Sequence, residues 1–415
     1  MKKSLVIFLS ILLIFFNINN KVLAKDAEPS VSADSAVLID AATGTILYSK
    51  NMNVAYPPAS TTKVMTALLT LEKTKLDDVV KVSKNVPFVD GSKIGLFEDE
   101  ELTVKDLLYG LMLLSGNDCA EALAEHIGGS IDGFAKLMTE RAKELGADNT
   151  NFVNPSGLYD NNHKTSAKDL ALIMKEATKH PEFLKIASTF AYKIPPTNKH
   201  AEGINLANEN KLINKNSMYY YPQAEAGKTG YTIQSLHSYV ASASKGEHRL
   251  IAALVHDKDK NFYTDSKKLF EYGFKNFELA TLYKKGDEVS TYKEGDVEIP
   301  LLAEDDYYYI KEKNMTDVPK TTVITSSLDG ISFKKGDNIM EASVTFKDMP
   351  LQNLKLVSGI DYEAKSAFGL NISSSKDSKG SFYLIGAILI IIIVLVMYVV
   401  VKLKNKSNFR KKISR

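Results

Sequence analysis

Three short segments, Ser60-Thr61-Thr62-Lys63, Ser115-Gly116-Asn117 and Lys228-Thr229-Gly230, constrain the fold of this 415-residue chain more than any other feature. Each falls where a different kind of element begins, and their residue types make chemical sense only if the fold brings them together. Ser60 follows Pro57-Pro58-Ala59 and opens a run, Lys63 to Lys73, in which Val64, Met65, Leu68, Leu69 and Leu71 recur at helical spacing. Lys63, three residues on, shares a helix face with Ser60, so its amine can reach the hydroxyl. A serine hydroxyl is a weak nucleophile at neutral pH. A lysine whose pKa is lowered by burial or by a second cation can take its proton, and Lys228 is a candidate for that cation. Alone, Ser60 would read as an ordinary N-cap.

Ser115-Gly116-Asn117 lies between the apolar stretch Leu107–Leu114 and a helical run from Cys119 to Ile127, where glycine suits a tight interhelix turn. Ser115 can relay a proton to a leaving amine, and Asn117 offers an amide to a peptide. Lys228-Thr229-Gly230 begins a strand-like passage that runs through Ser238–Ser244, turns at Lys245-Gly246 and returns over Arg249–Val255. Gly230 lets another backbone approach closely. Lys228 and Thr229 put a positive charge and a hydroxyl where a carboxylate would fit.

With these segments in place, residues from about 30 to 275 resemble the serine D-alanyl-D-alanine carboxypeptidases, the low-molecular-mass penicillin-binding proteins. Ala36–Tyr48 is similar to the family's opening hairpin and Pro58–Thr66 to its nucleophile helix. Asn154–Leu158 and His163–Asp169 are similar to the segment after the second motif. Two departures stand beside the third motif: Ala226-Gly227 where Asp-Gly is common, and Gln234–His237 in place of a small, glycine-containing stretch. The resemblance implies an acyl-enzyme on Ser60, with Lys63 as base, Ser115 as relay and Asn117 positioning the substrate. It implies that Lys228 and Thr229 bind the terminal carboxylate, that Gly230 is the close approach, and that the N–H groups of Ser60 and Tyr231 form an oxyanion hole. Arg249, on the antiparallel strand, is expected near the carboxylate. The reaction implied is loss of the terminal D-alanine from a peptidoglycan stem peptide, with β-lactams as covalent inhibitors and no cofactor. The fold implied is α+β, in which the hairpins Ala36–Tyr48 and Tyr231–Val255 pair in one antiparallel sheet. A helix near Asn261–Gly273 closes that sheet, and the helical middle packs beside it. A domain over residues 25–275 is large enough to bury a sizeable core.

From Asn276 the pattern changes to short alternating runs, Glu288–Tyr292, Asp296–Leu302, Thr321–Thr325 and Ile339–Phe346, expected to form a small β domain over 276–365. It resembles the family's C-terminal domain, which implies a spacer without chemistry. Residues 366–381 read as a polar linker. Phe382–Val401 is an uncharged run long enough to span a membrane, and the tail 402–415 holds seven basic residues and no acid, which predicts a cytoplasmic tail. Met1-Lys-Lys3, the apolar run Leu5–Phe16 and Val22-Leu23-Ala24 read as a signal peptide over 1–24. The expected location is therefore the cell membrane, with the catalytic part outside. The chain carries +2; the leader contributes +3 and the tail +7, which leaves −8 between them and argues against a nucleic-acid partner. Cys119 is the single cysteine, so no intramolecular disulfide is possible, and it reads as a small buried apolar residue. The seven histidines show no metal-ligand spacing, and no metal is expected.

Three other readings share the motifs. A class A β-lactamase needs a glutamate to activate the deacylating water, and no Glu-x-x-Leu-Asn stretch occurs in the middle region. A DD-transpeptidase differs only in whether an amine or water attacks the acyl-enzyme. A β-lactam sensor would acylate without turnover, yet the tail is too short for an effector domain.

Overall fold

The computed structural model describes residues 27–364. Strands β1 (Ser35–Asp40) and β2 (Ile46–Lys50) form the opening hairpin, and β3 (Ala224–Thr232), β4 (Leu236–Lys245) and β5 (His248–Asp257) form a meander. They join into one antiparallel sheet ordered β2-β1-β5-β4-β3, with Ser35 opposite Val255 and Asp40 opposite Leu250. The pairing expected between the two hairpins is thus the centre of the sheet. β1 is buried along its whole length, apolar from Ala36 to Ile39, because both faces are covered. Val37 and Ile39 face one core with the helices, while Ala36 and Leu38 face another.

The helical layer comprises α1 (Lys63–Lys73), α2 (Val104–Leu113), α3 (Asn117–Gly128), α4 (Ile131–Glu144), α5 (Ala167–Ala177) and α6 (Pro181–Ser188). Thr103, Ser130 and Ser166 cap α2, α4 and α5 by accepting hydrogen bonds from backbone N–H groups of the first turn. α1 is the central helix and is buried from Lys63 to Thr70. α7 (Phe262–Asn276) covers the opposite face of the sheet. It approaches closely at Gly273, where a Cβ would lie 2.5 Å from Leu250 Cδ1.

The small domain is all-β. The four expected runs form strands at Glu288–Glu294, Val297–Ala303, Lys320–Ile324 and Asn338–Phe346, and Leu354–Ser358 joins their sheet. Phe277–Tyr283 follows α7 with no turn residue between them and pairs with Tyr307–Glu312. The first escaped the sequence reading because nothing punctuates the helix-to-strand change, and the second was not read as a strand either. Ile299, Leu301, Ala342, Val344 and Leu356 form this domain's own core. The segments read as leader (1–24), linker (366–381), membrane helix (382–401) and tail (402–415) lie outside the described residues. Among the described residues no helix is long and apolar enough to cross a membrane.

Candidate active site

Ser60 lies in a single 3₁₀ turn, Ala59–Thr62, that feeds directly into α1. Three contacts fix that turn. Thr61 Oγ1 donates to Pro58 O at 2.7 Å. Gly157, at φ +88°, presses its backbone so close that a Cβ there would sit 1.9 Å from Ala59 O. Gly230 of β3 does the same from the other side, where a Cβ would lie 2.8 Å from Ser60 N. Because β3 is the edge of the sheet, its outer side is open toward the turn.

Lys63 is fully buried. Its Nζ lies 3.0 Å from Ser60 Oγ, 2.7 Å from Asn117 Oδ1 and 2.7 Å from the backbone oxygen of Ser156. Burial, and behind it the charge of Lys228, holds its pKa well below the ordinary lysine range. The three sequence segments therefore do meet, α1 and α3 through Lys63 and Asn117, β3 through Gly230 and Lys228. Lys228 is also buried, which lowers its pKa to about 8 against the opposing pull of Glu209. Its Nζ donates to Thr229 O at 3.0 Å.

Two details differ from the sequence reading. The tight turn between α2 and α3 is made by Ser115, at φ +60°, rather than by Gly116. Gly116 is small because Cys119 Sγ and Asp118 Oδ1 occupy the space a Cβ would need. Asn117 Oδ1 is committed to Lys63 and its Nδ2 donates to Asp90 O, so the side chain chiefly positions the lysine.

Arg249 does not belong to the site. It stands opposite Ser244 beside the Lys245-Gly246 turn, whereas the residues level with Lys228 are Val240 and then Ala253. Four residues of extended chain separate Arg249 from that level, about 13 Å. Its guanidinium instead forms a two-pronged pair with Glu225, at 2.7 and 3.0 Å.

Several contributors were not among the candidate site residues. The Ser156 carbonyl is one, because any residue supplies a carbonyl; the preceding Asn154 shapes that loop by accepting from Gly157 N at 2.7 Å. Asp118 is another: fully buried, it accepts from the backbone N–H groups of Ile94, Gly95 and Leu96 and so ties that loop to α3. His163 is a third. Val153 N–H donates to its Nδ1 at 3.1 Å, which leaves the ring proton on Nε2 to donate to Thr62 Oγ1 at 2.8 Å. Burial pushes its pKa down to about 4, so the ring is neutral. Cys119 is buried with its pKa raised well above the usual thiol range, chiefly by burial, and packs against Gly110 and Gly116 as an apolar residue.

A cleft of about 600 Å³ opens over Ser60 and is lined by Ser92, Ser115, Glu209, Lys211, Thr229, Gly230, Tyr231, His237, Lys260, Phe262 and Tyr263. Tyr231 is exposed and stacks on His237 at 4.5 Å between ring centres. A larger hollow of about 760 Å³ and a smaller one of about 330 Å³ lie elsewhere, near the small domain, and hold none of these groups.

Residues 22–259 match the family described as D-alanyl-D-alanine carboxypeptidase. The chain belongs to this carboxypeptidase family. It is a serine hydrolase of the low-molecular-mass penicillin-binding type. Residues 277–364 match the C-terminal domain of penicillin-binding protein 5, which accounts for the separate β domain. The D-alanyl-D-alanine carboxypeptidase DacF of Bacillus subtilis is 39% identical over 278 residues, covering 65% of this chain and 69% of the relative. Penicillin-binding protein 5 of Haemophilus influenzae superposes with a TM-score of 0.67 at 30% identity, over 81% of this chain and 99% of that one. The K15 DD-transpeptidase of Streptomyces superposes with a TM-score of 0.55 at 29% identity, over 60% of this chain and 99% of its own.

Proposed function

We propose that this carboxypeptidase removes the terminal D-alanine from peptidoglycan stem peptides through an acyl-enzyme on Ser60, working outside the membrane to which its C-terminal helix ties it. The observation that carries the mechanism is the triple environment of the Lys63 amine. A neutral amine has two N–H groups and one lone pair. Two of its three neighbours, Asn117 Oδ1 and Ser156 O, can only accept, so they take both N–H groups. The lone pair is left for the third, the Ser60 hydroxyl at 3.0 Å. The amine is thereby aimed as a base, and burial, with the charge of Lys228 behind it, favours its neutral form.

In this reading Ser60 Oγ attacks the carbonyl of the penultimate D-alanine as its proton moves to Lys63. The N–H groups of Ser60 and Tyr231 hold the oxyanion, a contribution of about 3–4 kcal/mol per donor in comparable sites. The proton passes by way of Ser115 to the departing amine, with Lys228 and Thr229 holding the terminal carboxylate. Water then hydrolyses the ester. A β-lactam follows the first half and stalls at the second. The location is supported by the apolar runs Leu5–Phe16 and Phe382–Val401 and by the basic tail that follows the second.

The test is D-alanine release by the full-length protein in detergent from a stem peptide ending in D-Ala-D-Ala, with and without penicillin. Steady release, blocked by penicillin and absent in Ser60→Ala, is expected. Release that survives Ser60→Ala would falsify the assignment, and rapid penicillin hydrolysis without release would turn it toward a β-lactamase.

A further inference from the structure

Two neighbouring carbonyls in the loop 152–163 point at the same helix. Thr66 Oγ1 donates to Pro155 O at 2.6 Å, and Lys63 Nζ to Ser156 O at 2.7 Å. In extended chain successive carbonyls point to opposite sides, so this pair needs a turn held in place. Asn154 supplies it. Its Oδ1 accepts from Gly157 N at 2.7 Å and from Ser156 N and Oγ at 3.2 Å each, and its Nδ2 donates to Leu158 O at 2.8 Å. A side-chain amide here takes the place of the backbone partners that a turn lacks. Pro155, Ser156 and Gly157 are buried, where an N–H group without a partner is costly. The ends of the loop are fixed separately: Asn151 and Lys164 exchange both backbone hydrogen bonds, and His163 meets Thr62.

The lining of the cleft over Ser60 includes none of residues 152–163. What the loop reaches is Lys63, through Ser156 O, and the nucleophile turn, through Gly157. Lys63 has one other obligatory acceptor, Asn117 Oδ1. With Ser156 O in place, both N–H groups of the neutral amine are taken and the lone pair faces Ser60. If that carbonyl turns away, the freed N–H swings to Ser60 Oγ, and a donor stands where the lone pair must be. Ser60 then keeps its proton although the cleft itself is unchanged.

We propose that Asn154 and Thr66 are positioning residues for acylation: they hold the Ser156 carbonyl on Lys63 and through it set the direction of the lone pair that takes the Ser60 proton. This rests on the reading of Lys63 as the base. Thr66 is wholly buried on α1, three residues beyond Lys63, and neither it nor Asn154 lines the cleft.

The experiment follows acylation of the full-length protein in detergent by a fluorescent penicillin over a range of concentrations, which separates the dissociation constant of the first complex from the rate constant of acylation. Asn154→Ala should lower the rate constant about tenfold, the effect of one lost hydrogen bond on the aim of the amine, and leave the dissociation constant within about twofold. Thr66→Val, which keeps the shape and loses the hydroxyl, should do the same. Thr66→Ser, which keeps the hydroxyl, should stay within about twofold of wild type in both. Thermal unfolding of each variant runs beside the kinetics, and the Thr66 pair decides alone if Asn154→Ala does not fold. The inference is overturned if folded Asn154→Ala or Thr66→Val acylates within about twofold of wild type, if Thr66→Ser loses as much as Thr66→Val, or if the dissociation constant rises in step with the loss of rate. Lys63→Met acylating as fast as wild type would instead refute the base assignment on which the inference stands.

Discussion

Replacing Gly230 with alanine adds one methyl group where the edge strand meets the nucleophile turn. Its Cβ would lie 2.8 Å from Pro58 O, 2.8 Å from Ser60 N and 3.0 Å from Ala59 Cβ, whereas ordinary contact begins at 3.4 Å. The strand and turn must therefore separate by about 0.6 Å. Two of the three clashing atoms are backbone, so no rotamer change relieves the strain. That separation moves Tyr231 N–H away from Ser60 N–H, the pair assigned to the oxyanion hole. A misplacement of about 1 Å costs roughly a hundredfold, and complete loss of one donor about a hundred- to a thousandfold, so a loss of roughly ten- to a hundredfold is expected. Overpacking should cost only about 1–3 kcal/mol of stability. The assay is the rate of Ser60 acylation by a fluorescent penicillin, followed beside thermal unfolding of the same preparation. A folded Gly230→Ala protein that acylates within about twofold of wild type would show that β3 does not set the geometry of the reacting carbonyl.

Four further outcomes follow from contacts already described. Acylation should climb with pH as Lys63 loses its proton and decline above about 8 as Lys228 loses its own; a rate that stays level past that point refutes the pairing of one neutral and one charged lysine. Lys228→Met should abolish the alkaline decline and move the acid limb upward, because the neighbouring cation no longer depresses Lys63. Arg249→Ala should leave D-alanine release near wild type and cost less than about 1 kcal/mol, the usual range for a partly exposed pair such as Arg249 with Glu225; a raised KM for the free-carboxylate substrate would restore Arg249 to the site. His163 is neutral in the folded state, with a pKa of about 4 against an ordinary 6.5. Its contribution is therefore complete above pH 6.5 and is lost as pH falls toward about 4, on the order of 3 kcal/mol. Urea unfolding across that window should show the slope in wild type and its absence in His163→Gln.

What the chain determines locally was legible in its spelling. The helical repeat of Val64, Met65, Leu68 and Leu69 sets the buried face of α1 and places Lys63 one turn from Ser60. The two strand-like runs on either side of Lys245-Gly246 set a hairpin, and the order of the three motifs names the chemistry, since few other arrangements give a serine two lysines and a relay. The short runs after residue 288 likewise announced a β domain. Such features depend on neighbours a few residues apart, and sequence records those distances directly.

Register, burial and backbone contacts were decided only by the tertiary structure. Arg249 and Ala253 lie on the same strand, and nothing in their spacing says which stands level with Lys228; the pairing of Ser244 with Arg249 across β4 and β5 decides it. The acceptor that aims the Lys63 lone pair is a carbonyl 93 residues away, invisible because every residue has one. Glu209 enters the cleft because Leu113 and Tyr263, from two distant helices, clamp the chain around it. Phe277–Tyr283 is a strand because Tyr307–Glu312 arrives to pair with it. Each of these rests on groups that meet only after the sheet and helices have packed, and the free energy that selects them is the burial of both cores rather than any local preference.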